Sequence, residues 1–449
     1  MGLTLIRKRS GPAPKHPRIA LVLAGGAVSG GAFKVGGLKA LNDYLRRRGI
    51  SDLDLYVGLS AGSVLAVPLA AGIGPDEMVR VLEGTSERFD QLGPLDFYHP
   101  NFADVTRPAH FAYDWLTYGP AVAREVLRAL PELRSALSEP WRKLLRKPDY
   151  TRFERFALAL RDHVAPDRPA PSLGAALPAG VFDSVGLEKW MRRNLEKIGM
   201  PNEFRRFERK TGRSLYLCAC NLDTAERTVF ETRNPHDSTI SQAVQASTAL
   251  PGFYRPARIG GIDYVDGGVR NTANIDVAIE NGADLVICYN PFRPFYNPVA
   301  DPDSDEAQAD PFSRRGHLAD RGLPVVVNQV FRTLLQSRLS LGLARYINDD
   351  SFKGDIVLLE PTESDANFFA VNPLAFWKRT EALRHGYESV RSTIERNFDD
   401  LEEVFGAYGL EMDREAAAAH ASHVLAERGW GDDIPDPPED EPRLRVVAS

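Results

Sequence analysis

Gly58-Leu59-Ser60-Ala61-Gly62 sets a hydroxyl between two residues without side chains, directly after the apolar run Leu55-Tyr56-Val57 and ahead of a small-residue segment. A serine held at a strand-to-helix elbow serves as a nucleophile when the flanking positions leave room for its strained backbone, which Gly58 and Gly62 do. A structural glycine turn is the competing reading of this motif alone. Upstream, Ile19 to Ala24 reads as a buried strand that enters the cluster Gly25-Gly26-Ala27-Val28-Ser29-Gly30-Gly31 and then an apolar helix through Leu38 and Leu41. Backbone N–H groups at such a helix start cradle negative charge. The spacing lacks the G-x-G-x-x-G of a dinucleotide site, whereas Gly25, Gly26 and Ala27 suffice for an oxyanion hole. Far downstream, Tyr264-Val265-Asp266-Gly267-Gly268 supplies a carboxylate, in a pattern that by itself also marks a hairpin turn.

In order and in detail these pieces resemble the patatin-like phospholipase family. The family runs from a strand into a glycine-rich loop and helix, then a G-x-S-x-G elbow, an A-x-x-A-S-x-A-x-P-x-F segment and an Asp-Gly-Gly. Here these are Gly25 to Gly31, Gly58 to Gly62, Ala243 to Phe253 and Asp266 to Gly268, within a resemblance from about Pro17 to Phe292 that continues more weakly to about Val390. The resemblance implies a serine and aspartate dyad. Ser60 attacks an ester carbonyl, Asp266 takes its proton, the N–H groups of Gly25 to Ala27 hold the oxyanion, and water resolves the acyl enzyme. A carboxylate needs an apolar pocket to become a useful base, and such a pocket also suits acyl chains. Neither cofactor nor metal enters this scheme. Two departures from the family stand out. Its Gly-Gly-Gly-x-Arg-Gly loop reads here with Ala27 for the third glycine, which requires a negative φ of that alanine, and Ser29 for the arginine. The proline expected after the Asp-Gly-Gly is missing from Asn271-Thr272-Ala273-Asn274-Ile275-Asp276.

Two alternatives stand beside the dyad. A His-dependent esterase or thioesterase would draw on a late histidine such as His317, in a loop, or His385, in a helical stretch. A non-catalytic lipid-binding or regulatory protein would keep the pocket and lose turnover, as Ala27 and Ser29 suggest. His420 and His423 share one face of an alanine-rich helix, but without a carboxylate cluster they read as an exposed face rather than a metal site. The net charge of -6 argues against nucleic acid as a partner. Cys218, Cys220 and Cys288 sit in strand-like runs and read as small buried hydrophobes of a reducing, cytoplasmic compartment. Arg7-Lys8-Arg9 ahead of Ile19 to Ala24 mimics a signal peptide, yet cleavage there would remove the first strand. Leu55 to Ile73 is interrupted by Gly58, Ser60, Gly62 and Pro68, so it reads as strand, elbow and helix rather than a membrane span.

The chain has 449 residues, 43% of them hydrophobic and 26% charged, enough for a large core. Strand-like runs at Ile19 to Leu23, Leu55 to Val57, Ser214 to Cys220, Asp284 to Tyr289 and Asp355 to Glu360 alternate with helical stretches. The expected fold is therefore α/β, a central, mostly parallel sheet flanked by helices. Residues 1–16 read as a mobile basic arm, 17–400 as the hydrolase domain with a helical insertion over about 89–180, 401–430 as C-terminal helices and 431–449 as an acidic disordered tail. Within the insertion Val126, Leu127, Leu130, Leu133 and Leu137 have helical spacing. It reads as a packed subdomain, or as a lid whose apolar face and Arg142, Lys143, Arg146 and Lys147 meet a membrane transiently. Val181 to Trp190 reads as a helix capped by Asp183 or Ser184, and Asp301 to Gly322 as an exposed loop. The expected substrate is a phospholipid or related acyl ester. A protein activator is compatible with the insertion.

Overall fold

The computed structural model describes residues 2–104, 106–163, 172–233, 238–295, 297, 299, 317–349, 351–361, 374–420 and 445–448. The chain divides into two compact units, Met1–His99 with Phe182–Ser449, and Pro100–Val181. In the first unit the strands of the main sheet are β1 (Leu3–Arg7), β2 (Ile19–Leu23), β3 (Leu55–Leu59), β4 (Ser214–Asn221), β5 (Arg227–Phe230), β6 (Ala257–Ile259), β7 (Ile262–Asp266), β8 (Leu285–Tyr289), β9 (Asp355–Leu359) and β10 (Arg445–Ala448). The principal helices of the chain are α1 (Ala27–Tyr44), α2 (Ala61–Ala70), α3 (Arg107–Arg146), α4 (Tyr150–His163), α5 (Val185–Lys197), α6 (Ile240–Ser247), α7 (Ile275–Glu280), α8 (Leu323–Ile347) and α9 (Arg379–Arg396).

The sheet order is β10-β1-β9-β8-β2-β3-β4-β7-β6, with β5 also paired to β4. Its centre, from β9 through β8, β2 and β3 to β4, is parallel throughout. Antiparallel pairs at β1, β5, β6 and β7 close the margins. Every residue of β2, β3, β8 and β9 is buried. That is why these strands are continuous apolar runs rather than alternating ones: helices cover both faces. On one face Phe33, Leu38 and Leu41 of α1, Val67 of α2 and Leu383 and Val390 of α9 pack with Leu21, Leu23 and Ile287. On the other, Ile275 and Val277 of α7 and Leu339 and Leu343 of α8 pack with Val22, Val57 and Cys288. The register pairs Leu23 with Gly58, so the loops leaving β2 and β3 emerge side by side at the carboxyl edge of the sheet.

Three expectations need correction. Residues 1–16 do not begin as a mobile arm: Leu3 to Arg7 is β1, antiparallel to β9, with Leu3, Leu5 and Ile6 buried. The apolar residues that look like the start of a basic tail complete a sheet margin. At the other terminus Arg445 to Ala448 forms β10 parallel to β1, so Val446 and Val447 continue the sheet where a disordered tail is expected; residues 421–444 lie outside the described ones. The insertion also begins later than residue 89. Phe89 is buried in the first unit, its ring 5.3 Å from that of Trp190 in an edge-on contact. A smaller difference concerns α5. Ser184 occupies the cap position without a side-chain cap bond, while Asp183 accepts from the Val185 N–H at 2.9 Å.

The second unit holds α3 and α4. Their rings meet at Trp141 and Phe156, 5.3 Å apart, and Asn101 ties the ends of the segment by donating to the Gly180 carbonyl at 2.8 Å. The side chains of Val126, Leu130 and Leu133 lie outside the described residues, whereas Tyr113, Trp115, Leu127, Trp141 and Phe153 are exposed, as are Arg142, Lys143, Arg146 and Lys147.

Candidate active site

Ser60 lies between the end of β3 and the start of α2 with φ 54° and ψ −129°, a left-handed region that a residue bearing a Cβ seldom adopts. The turn that imposes this conformation needs Gly58 and Gly62. A Cβ on Gly58 would lie 2.6 Å from Ser63 Cα, and one on Gly62 2.1 Å from the Leu23 carbonyl oxygen. Two further contacts brace the elbow. The Ser60 N–H donates to Ser247 Oγ at 2.8 Å, and the Ser63 hydroxyl donates to the Ser60 carbonyl at 2.6 Å. Ser247, the serine of the Ala243 to Phe253 segment, therefore holds the backbone of the elbow, a role its place in the motif does not reveal.

Asp266 ends β7, where its N–H donates to the Ala249 carbonyl at 2.9 Å and its Oδ1 accepts from the Gly268 N–H at 2.8 Å. The Ser60 hydroxyl is among the groups that favour the ionised form of this carboxylate. Gly267 lets β7 turn beside the elbow, since a Cβ there would lie 2.7 Å from Leu59 Cδ1 and 2.9 Å from the Cys218 carbonyl oxygen. Burial raises the Asp266 pKa from 3.8 to about 6, against the Ser60 hydroxyl, the Gly268 hydrogen bond and the charge of Lys34, which pull it down.

Gly25, Gly26 and Ala27 lie where β2 gives way to α1. A Cβ on Gly25 would come within 2.9 Å of the Phe292 ring and 3.3 Å of Ser60 Cβ, and one on Gly26 within 3.0 Å of Pro291 Cγ. Ala27 is left-handed, at φ 50°. The negative φ expected for it is wrong: the alanine keeps the backbone a glycine would take, because the turn from β2 into α1 is fixed by its neighbours.

Gly25, Ala27, Ser60 and Asp266 open into one cavity of about 950 Å³. Its walls are mostly apolar, among them Val64, Leu65, Phe97, Leu250, Phe253, Phe292, Phe331 and Leu335. Neither His317, exposed ahead of a short helical turn, nor His385, in α9 with its Nδ1 4.0 Å from Glu388, lines it. His420 is exposed, and His423 lies outside the described residues. Among the described residues no group of three or more His, Cys, Asp or Glu is placed to hold a metal ion. The three cysteines are free and buried, and burial pushes the Cys218 thiol up to about 12. Among the described residues no helix is long and apolar enough to cross a membrane.

Sequence reasoning passed over Lys34. This residue falls on the helical period of Leu38 and Leu41, the apolar face of α1, and it is completely buried beneath the Gly25 loop. A lone lysine on an otherwise apolar helix face is the signal that was there to be read.

A stretch of 91 residues is 32% identical to the uncharacterized protein YjjU of Escherichia coli strain K12, covering 20% of this chain and 25% of that one. A stretch of 103 residues is 28% identical to the probable lipid hydrolase 463L of Invertebrate iridescent virus 6, covering 22% of this chain and 36% of that one. The matches thus span a quarter to about a third of the length of these relatives. Among solved structures VipD from Legionella pneumophila is similar over 95% of this chain and 79% of its own, at 15% identity and a TM-score of 0.36. The family model of the patatin-like phospholipases matches residues 21–279, more than half the chain and every motif from β2 through the Asp266 turn. The chain belongs to the patatin-like phospholipase family.

Proposed function

We propose that the chain is a lipid acyl hydrolase in which Ser60 and Asp266 form the catalytic dyad. The observation that carries this reading is that Ser60 and the buried Asp266 carboxylate line one large apolar cavity, with the Ser60 hydroxyl among the groups that pull the Asp266 pKa down. With a pKa of about 6, Asp266 is ionised at neutral pH yet far more basic than an exposed carboxylate. It takes the Ser60 proton as Oγ adds to the ester carbonyl. The oxyanion forms against the N–H groups of the Gly25 to Ala27 loop, and the alcohol leaves with the proton that Asp266 held. Water then attacks the acyl enzyme with Asp266 again as base, releasing the fatty acid and restoring Ser60.

The substrate class is a phospholipid or related acyl ester, whose acyl chain suits the apolar walls and whose ester carbonyl reaches Ser60. The exposed aromatic and basic residues of the second unit, Trp115, Trp141, Arg142 and Lys147 among them, support transient contact with a membrane surface. The deciding experiment measures fatty acid release from mixed phospholipid vesicles by the wild type, Ser60→Ala and Asp266→Asn, with fluorophosphonate labelling alongside. Release and labelling are both expected to vanish in Ser60→Ala, and release to collapse in Asp266→Asn. Undiminished release from Ser60→Ala refutes the dyad. A wild type that binds vesicles but neither labels nor releases fatty acid makes this a lipid-binding protein instead.

A further inference from the structure

Lys34 is completely buried within α1, between Phe33 and Val35. Its ammonium donates to the Ala24 carbonyl and, at 3.1 Å, to the Gly25 carbonyl. These carbonyls belong to the two successive peptide units that join Ala24 to Gly25 and Gly25 to Gly26. A planar trans peptide points its C=O and its N–H in opposite directions. Two carbonyls drawn down onto Lys34 therefore turn the N–H groups of Gly25 and Gly26 away from it. Gly25, on the loop so turned, lines the cavity together with Ala27 and Ser60.

We propose that Lys34 is the positioning residue of the oxyanion loop, aiming the Gly25 and Gly26 N–H groups at the carbonyl oxygen of an ester attacked by Ser60. The inference rests on the hydrolase reading above and extends it to a group outside the motifs. A lysine suits the task because one nitrogen carries several donors and can satisfy two neighbouring carbonyls at once. Its charge adds a second effect. The titratable groups that act on Lys34 are Cys288 of β8 and Asp266 of β7. Burial pushes the Cys288 thiol far up, so it stays neutral and Asp266 is the anion that Lys34 faces. Burial in turn lowers Lys34 to about 7, and its charge favours ionised Asp266. Removing the cation must therefore make Asp266 harder to ionise.

The test is the rate of fluorophosphonate labelling as a function of pH, together with ester hydrolysis, for the full-length wild type, Lys34→Met and Lys34→Gln. Methionine keeps the length and removes both donors and charge; glutamine keeps amide donors without the charge. For Lys34→Met the labelling plateau is expected to fall on the order of a hundredfold, the scale on which a single oxyanion donor acts. KM should change by no more than about twofold, because the loop acts on the transition state rather than on substrate binding. The acid limb of the profile should move to higher pH. Lys34→Gln should regain most of the plateau and keep the displaced limb, a separation that mere packing would not produce.

Lys34→Met labelling within about threefold of wild type on an unmoved limb overturns the proposal. So does a folded Lys34→Gln with the wild-type limb, which decides the matter even if Lys34→Met fails to fold. A wild type that labels normally beside indifferent Lys34 variants sinks this inference alone. A wild type that neither labels nor hydrolyses ester sinks the hydrolase reading and this inference with it.

Discussion

Replacing Asp266 by asparagine should abolish turnover and at the same time make the protein more stable at neutral pH. The carboxylate is 3% exposed, and its pKa stands at about 6 instead of 3.8 because burial penalises the charged form more than its hydrogen bonds and Lys34 favour it. A raised folded-state pKa means that the native state holds the proton more tightly than the unfolded chain does. The associated stability is complete below the unfolded value of 3.8 and is lost as pH rises through about 6. At about 1.36 kcal/mol per pH unit, the loss above pH 7 comes to about 3 kcal/mol. Asparagine resembles the protonated acid. It can accept from the Gly268 N–H and face the Ser60 hydroxyl without a buried charge, so it escapes this loss. Urea unfolding of wild type and Asp266→Asn at several values between pH 4 and pH 8 measures the difference directly. We expect Asp266→Asn to be more stable by about 3 kcal/mol at pH 8, with the gap closing as the pH falls below about 6 and nearly gone at pH 4. Lys34 is common to both proteins and cancels to first order. An asparagine variant that is less stable at pH 8, or a gap that does not change with pH, refutes the claim that Asp266 is ionised at a cost.

Other perturbations follow from the same geometry. Ala27→Gly relieves a left-handed alanine, and after the added freedom of the unfolded chain is subtracted it should stabilise by about 0.5–1 kcal/mol, read as a higher urea midpoint with full labelling activity retained. Ser247→Ala leaves the Ser60 N–H without its acceptor, so it should destabilise by about 1–3 kcal/mol and slow labelling of Ser60; unchanged labelling would mean that the elbow holds its shape unaided. Deleting residues 1–8 strips β1 from β9 and takes away the buried side chains of Leu3, Leu5 and Ile6, which should cost about 5 kcal/mol in chemical unfolding, whereas a mobile arm would be removed at no cost.

The parallel centre of the sheet was legible because β2, β3, β4, β8 and β9 are continuous apolar runs, and such runs imply burial on both faces. The G-x-S-x-G elbow was legible for a steric reason: Gly58 and Gly62 touch backbone atoms where a Cβ has no room. The margins were harder to read. β1 is five residues long beside basic residues, and β10 follows an acidic, proline-rich stretch, so local composition resembles a tail at both ends. What makes them strands is pairing with β9 and with each other, contacts more than 300 residues away along the chain that no local pattern carries.

At the candidate site the residues that sequence rules misjudge or overlook share a physical character. Ser60 and Ala27 take backbone angles that their own side chains disfavour, and Asp266 and Lys34 carry charges in buried positions. Taken singly, each would count against the sequence as a fit to its fold. Taken together they compensate one another. The carbonyls that Gly25 and its neighbour Ala24 bury are satisfied by Lys34, and the charge of Lys34 eases the ionisation of Asp266, as does the hydroxyl that the strained elbow presents. The unfavourable choices are therefore coupled, and loss of one should weaken the case for the others. That predicts non-additivity: because the charge of Lys34 eases the ionisation of Asp266, Asp266→Asn should gain more stability in a Lys34→Met background than in the wild type. A double-mutant cycle in urea reads the difference as the coupling between the two charges, and equal gains in the two backgrounds would show that desolvation acts on each group alone.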